Sequence, residues 1–442
     1  MKGKRKGPPA RCWRTGSRRM SFGLLKNTAP PIAVDFGVSA LKMLQIIPGN
    51  SPTLVSAAYA ETPVNYLNRP QERLMFQAQI LPDLLKQGDF RGKRAICSVS
   101  AGVTFVQHLR IGLIPGTPLK TLISDQLREF TGMDESQFIL RHVELAEINR
   151  SGKKRTEVLC IGIPRDSVLS HMKAIRSAKL EPVGVHVEHV ALARSLDHIH
   201  RREADRAQTT MLVDLGYGTT KIAISHGKEP MFARTLQVGG FQFDKSTART
   251  YGCSFREARE RRAAHTAQID NPNRKEKAAA AKSAAQRQKV DGGQDEVLSD
   301  TALLMEDEPV YEGGDSGTER RYGAPPRNLT SLDSQKAPIA EAGASVRDLM
   351  EAIADEVQLC VHHHRALFPD RTIDRLVFTG GEATRTDLCG QIAERAGIEA
   401  QVADPLTVLS RPKGVRVSGV DLSKPAPGWA VALGLCNAPT DL

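Results

Sequence analysis

Long apolar runs are missing from this chain. No stretch of about 18 uninterrupted apolar residues occurs, which argues against a membrane-crossing helix. The basic N-terminus has no apolar stretch of the kind a secretory signal needs. Cysteine is sparse: seven are scattered at 12, 97, 160, 253, 360, 389 and 436, odd in number and never spaced C-x-x-C. That spacing excludes a disulfide framework and a cysteine-ligated structural zinc site, and it fits a reducing cytosol. No Ser-His-Asp spacing, paired-carboxylate motif, sugar-binding signature or phosphoacceptor signature stands out. What is present suits a globular protein of two or three domains: 442 residues, 40% hydrophobic and 25% charged.

The charge is unevenly placed. The net +11 comes from 61 Lys+Arg against 50 Asp+Glu. Eight of those bases and no acid lie in residues 1–20, leaving +3 for the rest. Residues 1–21 are expected to be a disordered basic leader, with Met20 as an alternative start; contact with anionic lipid or nucleic acid is the competing reading. A second anomaly spans about 263–343. Residues 256–289 hold ten Lys/Arg and four acids, whereas 291–319 hold ten acids and no Lys/Arg. This reads as a low-complexity charged insertion, with a helix at 275–289 and otherwise disorder.

The remainder alternates strands and helices. A short apolar run from Pro31 ends in Asp35-Phe36-Gly37, and a second strand follows from Leu41 to Ile47, with a third from Thr53 to Ala60. Helical spacing covers 71–87, where Pro82 is expected to kink or interrupt the helix. Strands at 95–99 and 104–109 lead into a compact unit with helices at 118–131 and 165–178 and strands at 138–147 and 156–163. After Pro182–Glu188 and a helix at 191–196, the opening device returns: Thr210 to Leu215, with Asp214 and then Gly216, and a partner strand from Thr219 to Ser225. A Gly239-Gly240 turn opens another helix. Near the end, Arg375–Thr379 runs into Gly380-Gly381 and a helix at 384–396. A strand–D-x-G–strand device thus occurs twice, about 180 residues apart, which implies two related halves with a cleft between them.

Glycine hairpins let phosphate oxygens approach backbone N–H groups, and two facing hairpins would clamp a nucleotide's phosphates from both sides. The aspartates before the glycines would hold Mg²⁺ through water. Lys42 would neutralise a phosphate, and the Gly380-Gly381 turn would pass close to a purine and ribose.

The order Asp35-Phe36-Gly37 through Lys42, Asp214-Leu215-Gly216 through Thr220, and Thr379-Gly380-Gly381-Glu382 resembles the phosphate-1, phosphate-2 and adenosine segments of the actin/Hsp70/sugar-kinase fold. Within it the sequence is similar to the PilM family of type IV pilus assembly, relatives of the division protein FtsA. Phe22 to Lys26, Leu236 to Gln242, and Ile398 to Pro405 add to that likeness, which covers about 22–262 and 344–437. The implied fold is α/β: a two-lobed actin/Hsp70-like (ribonuclease H-like) ATPase fold with an inserted small α+β subdomain. The implied divisions are lobe 1 at 22–106 and 184–209, the subdomain at 107–183, and lobe 2 at 210–262 and 344–442, whose last part returns to lobe 1.

The resemblance also implies site roles. Asp35 and Asp214 would organise metal and water. Gly37, Ser39, Gly216, Gly218 and Thr219 would line the phosphates, and Lys42 would contact the β/γ region. Glu188 would polarise the attacking water, or else be a helix N-terminal acid favoured by the dipole. Gly380 and Gly381 would face the adenosine. Arg262 would stand in for a ribose-reaching lysine, with Arg259 where relatives carry an acid and Glu382 where they carry a small residue. The implied cofactors are ATP and Mg²⁺. The implied role is a cytoplasmic platform, peripheral at the inner membrane, for pilus or secretion assembly. Its partner would be the short cytoplasmic tail of a PilN-like membrane protein, with other assembly proteins and no specific nucleic acid. Phe22, Leu24, Leu25 and Lys26 would aid attachment at the membrane surface. A small-molecule kinase of the same fold, or an FtsA-like filament, is the alternative. The run His362-His363-His364 is expected to be exposed or capping, because consecutive helical residues point about 100° apart and cannot share one ion. Cys97, Cys160 and Cys360 are expected in the core.

Overall fold

The computed structural model describes residues 29–131, 135–150, 153–197, 207–269 and 343–440. The basic leader, the segment 22–26, the expected helix at 275–289 and most of the charged insertion lie outside the described residues.

Two larger sheets carry the chain. In the first, β1 (Ile32–Phe36) runs antiparallel to β2 (Ala40–Ile47), which runs antiparallel to β3 (Thr53–Glu61). On the other side of β1, β4 (Arg94–Val99) and then β8 (Glu181–Val187) run parallel. The short β14 (Val417–Ser418) adds to the edge of β3. In the second sheet, β9 (Thr209–Leu215), β10 (Thr220–His226) and β11 (Glu229–Leu236) form the antiparallel meander. Parallel β12 (Arg375–Thr379) and β13 (Ala400–Val402) follow on the far side of β9. The two sheets therefore share one order: a three-stranded meander whose first strand neighbours two parallel strands.

Both are built from near-continuous apolar strands, as sheets covered on two faces require. Helices α1 (Pro70–Gln87) and α3 (Arg165–Ser177) cover one face of the first sheet, while α4 (Glu188–Ser195) and the C-terminal α9 (Ala430–Cys436) cover the other. The second sheet packs against α5 (Gly240–Tyr251), α7 (Val346–Leu367) and α8 (Thr386–Ala396), and α6 (Phe255–Ile269) lies on α5. Full burial of residues such as Met211, Ile353 and Phe378 contributes about 1.5–3 kcal/mol each. Ser345 caps α7 by accepting from the Asp348 amide, whose side chain accepts the Ser345 amide in return.

Between β4 and β8 the chain builds a third sheet of order β5-β7-β6. Its strands are β5 (Phe105–Gly112), β6 (Phe138–Arg150) and β7 (Lys153–Pro164), with α2 (Leu119–Thr131) over one face. The other face packs against β11 of the second sheet.

Two local expectations are corrected. The interruption expected at Pro82 does not occur: helix α1 continues to Gln87, because Gln77, Leu81 and Leu84 form one buried face that carries it past the missing hydrogen bond. The histidine run is not uniformly exposed: His362 faces solvent, His363 is half-buried and His364 is buried. The expected core cysteines, Cys97, Cys160 and Cys360, are buried free thiols.

Candidate functional site

The matching order of the two sheets brings matching side chains to the same place. Asp35 on β1 pairs across the hairpin with Lys42 on β2, and Asp214 on β9 pairs with Lys221 on β10. Lys42 Nζ lies 3.4 Å from Asp35 Oδ2, and Lys221 Nζ lies 2.7 Å from Asp214 Oδ2. The parallel neighbour adds a hydroxyl in each half. Ser98 on β4 donates to Asp35 Oδ1 at 3.1 Å, and Thr379 on β12 donates to Asp214 Oδ1 at 2.9 Å. Each lobe thus carries one Asp–Lys–hydroxyl triad, and the spacing D-x-G-x4-K is common to both halves. The sequence reading singled out Lys42 and passed over Lys221, although the repeated spacing marks it.

The second triad reaches across to Glu188, the first residue of α4. Lys221 Nζ reaches across to Glu188 Oε2 at 3.2 Å, and the Ala101 amide donates to the same oxygen at 2.9 Å. Burial disfavours the Lys221 ammonium, but Asp214, Glu188 and Asp35 around it hold its pKa above the ordinary lysine value. Burial also raises the Asp35 carboxyl, against the pull of Lys42.

The two turns face each other. A β-carbon at Gly218 would stand 2.7 Å from Val38 Cγ2, so the turns touch through Val38. Gln77 holds the first turn by donating to the Gly37 carbonyl at 2.8 Å. The amides of Val38, Ser39, Tyr217 and Gly218 bond to no group among the described residues. Free amides from two turns, two ammonium groups and the Ser39 and Thr219 hydroxyls form a donor set suited to a polyanion such as a triphosphate. The carboxylates suit Mg²⁺ less directly, because their oxygens already answer Lys42, Ser98, Lys221 and Thr379. They would hold such an ion only through water.

The third expected segment forms a second cluster. Gly380 has φ +92°, and a β-carbon there would stand 2.3 Å from the Leu215 carbonyl oxygen, so no other residue fits this turn. Arg262 on α6 donates from Nε to Asp244 at 2.6 Å and from its two terminal nitrogens to Glu382 at 2.7 and 3.2 Å. It also donates to the Gly240 carbonyl at 3.2 Å. Tyr217 donates to Asp244 at 2.6 Å. Burial opposes the Arg262 charge, but Glu382 and Asp244 raise its pKa, while burial and Asp244 raise that of Tyr217. The Glu382 carboxylate lies directly over Gly240, where a β-carbon would stand 2.2 Å from Oε1. The ion pair therefore closes the space between the Gly380 turn, α5 and α6. Arg259, the residue standing where an acid was expected, pairs with Glu61 of the first sheet at 2.8 Å and sits 5.2 Å from the Tyr217 ring centre.

Asp35, Lys42, Glu188, Asp214 and the turns carrying Gly37, Ser39, Gly216, Gly218 and Thr219 thus lie on the facing sides of the two sheets. Gly380, Gly381 and Arg262 gather on their flank. Lys221, Ser98, Thr379, Asp244 and Tyr217 were not anticipated. Of these, the parallel-strand hydroxyls carry no local sequence signal.

A separate groove lies on the small subdomain. It has a volume of about 330 Å³ and is lined by Lys120, Ile123, Leu140, Arg141 and His142, among others, with Cys160 in its wall. A second hollow beside it adds Phe138, Ile139 and Arg165. It runs along β6, the edge strand of that sheet. No helix among the described residues is long and apolar enough to cross a membrane.

Comparison with known proteins bears on this arrangement. A family model described as type IV pilus assembly protein PilM matches residues 34–272. No curated protein sequence matches. Among solved structures, the PilM-PilN type IV pilus biogenesis complex aligns with TM-score 0.61 at 15% identity, covering 92% of this chain and 98% of that one. MreB 5 of Spiroplasma citri bound to AMPPNP aligns at TM-score 0.40 and 11% identity, covering 92% and 95%. Ethanolamine utilization protein EutJ from Carboxydothermus hydrogenoformans aligns at 0.39 and 14%, covering 93% and 91%. The architecture is the two-lobed actin-like fold with an inserted small α+β subdomain.

Proposed function

The chain belongs to the PilM family of type IV pilus assembly proteins, and from that premise we propose that it is an ATP-binding platform that holds the cytoplasmic tail of a PilN-like inner-membrane protein. The observation that carries the nucleotide part is the register-matched pair of hairpins, with Lys42 and Lys221 behind two turns of unpaired amides. The β- and γ-phosphates would lie between Val38–Ser39 and Tyr217–Thr219. Magnesium carried on the phosphates would neutralise their charge and meet Asp35 and Asp214 through water. The purine and ribose would lie by Gly380, Gly381 and Arg262 once Glu382 swings aside.

Holding fits this geometry better than turnover. Glu188 is committed to Lys221 and to the Ala101 amide, so it is not a free base for an attacking water. Contacts that cross between the lobes here include Val38 on Gly218, Lys221 to Glu188, Arg259 to Glu61, and His189 to Thr235. Nucleotide would act by redistributing these contacts and so shifting lobe closure.

The tail would lie in the groove along β6, where an extended segment can pair with a free strand edge. Its rim of Lys120, Arg141 and Arg165 and its apolar floor favour apolar residues flanked by carboxylates. The aligned PilM-PilN type IV pilus biogenesis complex supports a partner of this kind. Localisation would then be peripheral to the inner membrane through that partner.

Fluorescence anisotropy with the N-terminal cytoplasmic peptide of the organism's PilN-like protein tests this reading. Saturable binding that weakens about tenfold or more in Arg141→Glu supports it. Equal affinity in the wild type and the variant removes the groove as the tail site.

A further inference from the structure

Away from the two facing turns, three metal-ligating side chains converge where the small subdomain meets the second lobe. His108 on β5, Glu157 on β7 and His363 on α7 bring their ligand atoms within 4.8 Å of one another. Register explains the first pair: His108 and Arg110 alternate to the same face of β5, and Glu157 stands directly opposite Arg110. The third ligand arrives from the second lobe, 255 positions beyond His108 in sequence. Of the three consecutive histidines, His363 is the one that meets metal-ligating side chains from other elements.

The imidazole nitrogens here lack good partners among the described residues. The ring nitrogens of His108 and Nε2 of His363 are closed to solvent; among the described residues none makes a hydrogen bond of good geometry, and the nearest acceptor to the His108 ring is the Ala233 backbone. Leaving such groups unsatisfied in a buried site is unfavourable, so a ligand that takes their lone pairs would remove a real penalty. The rings are already set at an angle, with centres 5.7 Å apart and planes at 73°. The face of His108 is fixed by stacking on Phe232 at 4.6 Å. Tetrahedral zinc bound at about 2.0–2.1 Å places ligand atoms about 3.4 Å apart, so closing this set needs side-chain shifts of about 1.4 Å or less.

From this geometry we infer that His108, Glu157 and His363 form a site for one divalent transition ion, Zn²⁺ by ligand type, which joins the small subdomain to the second lobe. Two imidazoles and one carboxylate suit zinc, with water as a fourth ligand. Arg110 already engages Glu157 Oε2 at 3.0 Å and orients the carboxylate from outside. Its side chain is 38% exposed and can turn to solvent when the ion takes the carboxylate. Arg234, the other nearby cation, is paired with Glu356 and leaves its charge compensated. The ion would pin the subdomain carrying the basic groove to the lobe carrying Asp214 and Lys221.

The test uses the full chain, stripped with a chelator and titrated with Co²⁺ while visible absorption is recorded. The expected result is one ion per chain, with the intense bands of a tetrahedral site and displacement by Zn²⁺. His363→Ala and Glu157→Gln should each weaken binding by at least about tenfold. His362→Ala, one position away on the exposed side of α7, should leave it unchanged. His108→Ala should also lose the site; should it fail to fold, the other two variants decide. No saturable binding by the wild type, or bands retained in both His363→Ala and Glu157→Gln, would overturn the inference.

Discussion

Replacing Glu382 by alanine should open the nucleoside end of the cleft. Its carboxylate lies over Gly240 and is held by two bonds from Arg262 at 2.7 and 3.2 Å. The two side chains are 12% and 13% exposed, so water screens the pair only in part. A charge-assisted pair of this kind is worth about 1.5–3 kcal/mol. A nucleotide that needs this space must give up that amount before its base and ribose gain any contact. Truncation removes the cost while Arg262 stays anchored on Asp244 at 2.6 Å. The expected gain is about 10–100-fold in ATP affinity, read by isothermal titration calorimetry, with a similar gain for ADP. Inorganic triphosphate, which lacks the nucleoside, should bind the two proteins equally. Unchanged or weaker ATP binding by Glu382→Ala would refute the idea that this ion pair occupies the nucleoside space.

Three further outcomes follow from the same geometry. Lys221→Met leaves Asp214 and Glu188 buried without their shared cation, and should lower stability by about 3–5 kcal/mol in urea unfolding. Gly434→Ala would set a β-carbon 1.7 Å from the Ala191 carbonyl oxygen, where α9 crosses α4. The loss should be about 3 kcal/mol despite alanine's better helix propensity, and a neutral or stabilising effect would contradict that packing. Burial, helped by the Lys221 charge, pushes the His189 pKa down to about 4. The unfolded chain therefore takes up the proton first. This histidine's contribution is whole above about pH 6.5 and declines towards pH 4, approaching about 1.4 kcal/mol per pH unit. His189→Gln should flatten the acid side of the stability curve, and an unaltered slope would show that another group titrates there.

What could be read in the sequence was local. Asp35-Phe36-Gly37 and Asp214-Leu215-Gly216, each between two apolar runs, announce their hairpins because turn chemistry and strand pattern lie within a dozen residues. Lys221 was legible in the same way, through its distance from Asp214. Ser98 and Thr379 were not, because parallel strands bring together residues 63 and 165 positions from their aspartates. The Arg262–Glu382 pair spans 120 positions and surfaced only as two residues out of keeping with their neighbours. Pro82 misled, because tertiary burial of Leu81 and Leu84 outweighed one lost backbone bond. His363 was weighed against its helical neighbours, and its ligand partners come from another sheet.

A crystal structure with a non-hydrolysable ATP analogue and Mg²⁺ reaches the central claim most directly. The β- and γ-phosphates should accept from the Val38, Ser39, Tyr217 and Gly218 amides and lie within reach of both Lys42 and Lys221, with Glu382 turned away from Gly240. A nucleotide seated elsewhere, or electron density absent from this cleft at millimolar analogue, would contradict the account of two mirrored turns closing on one triphosphate.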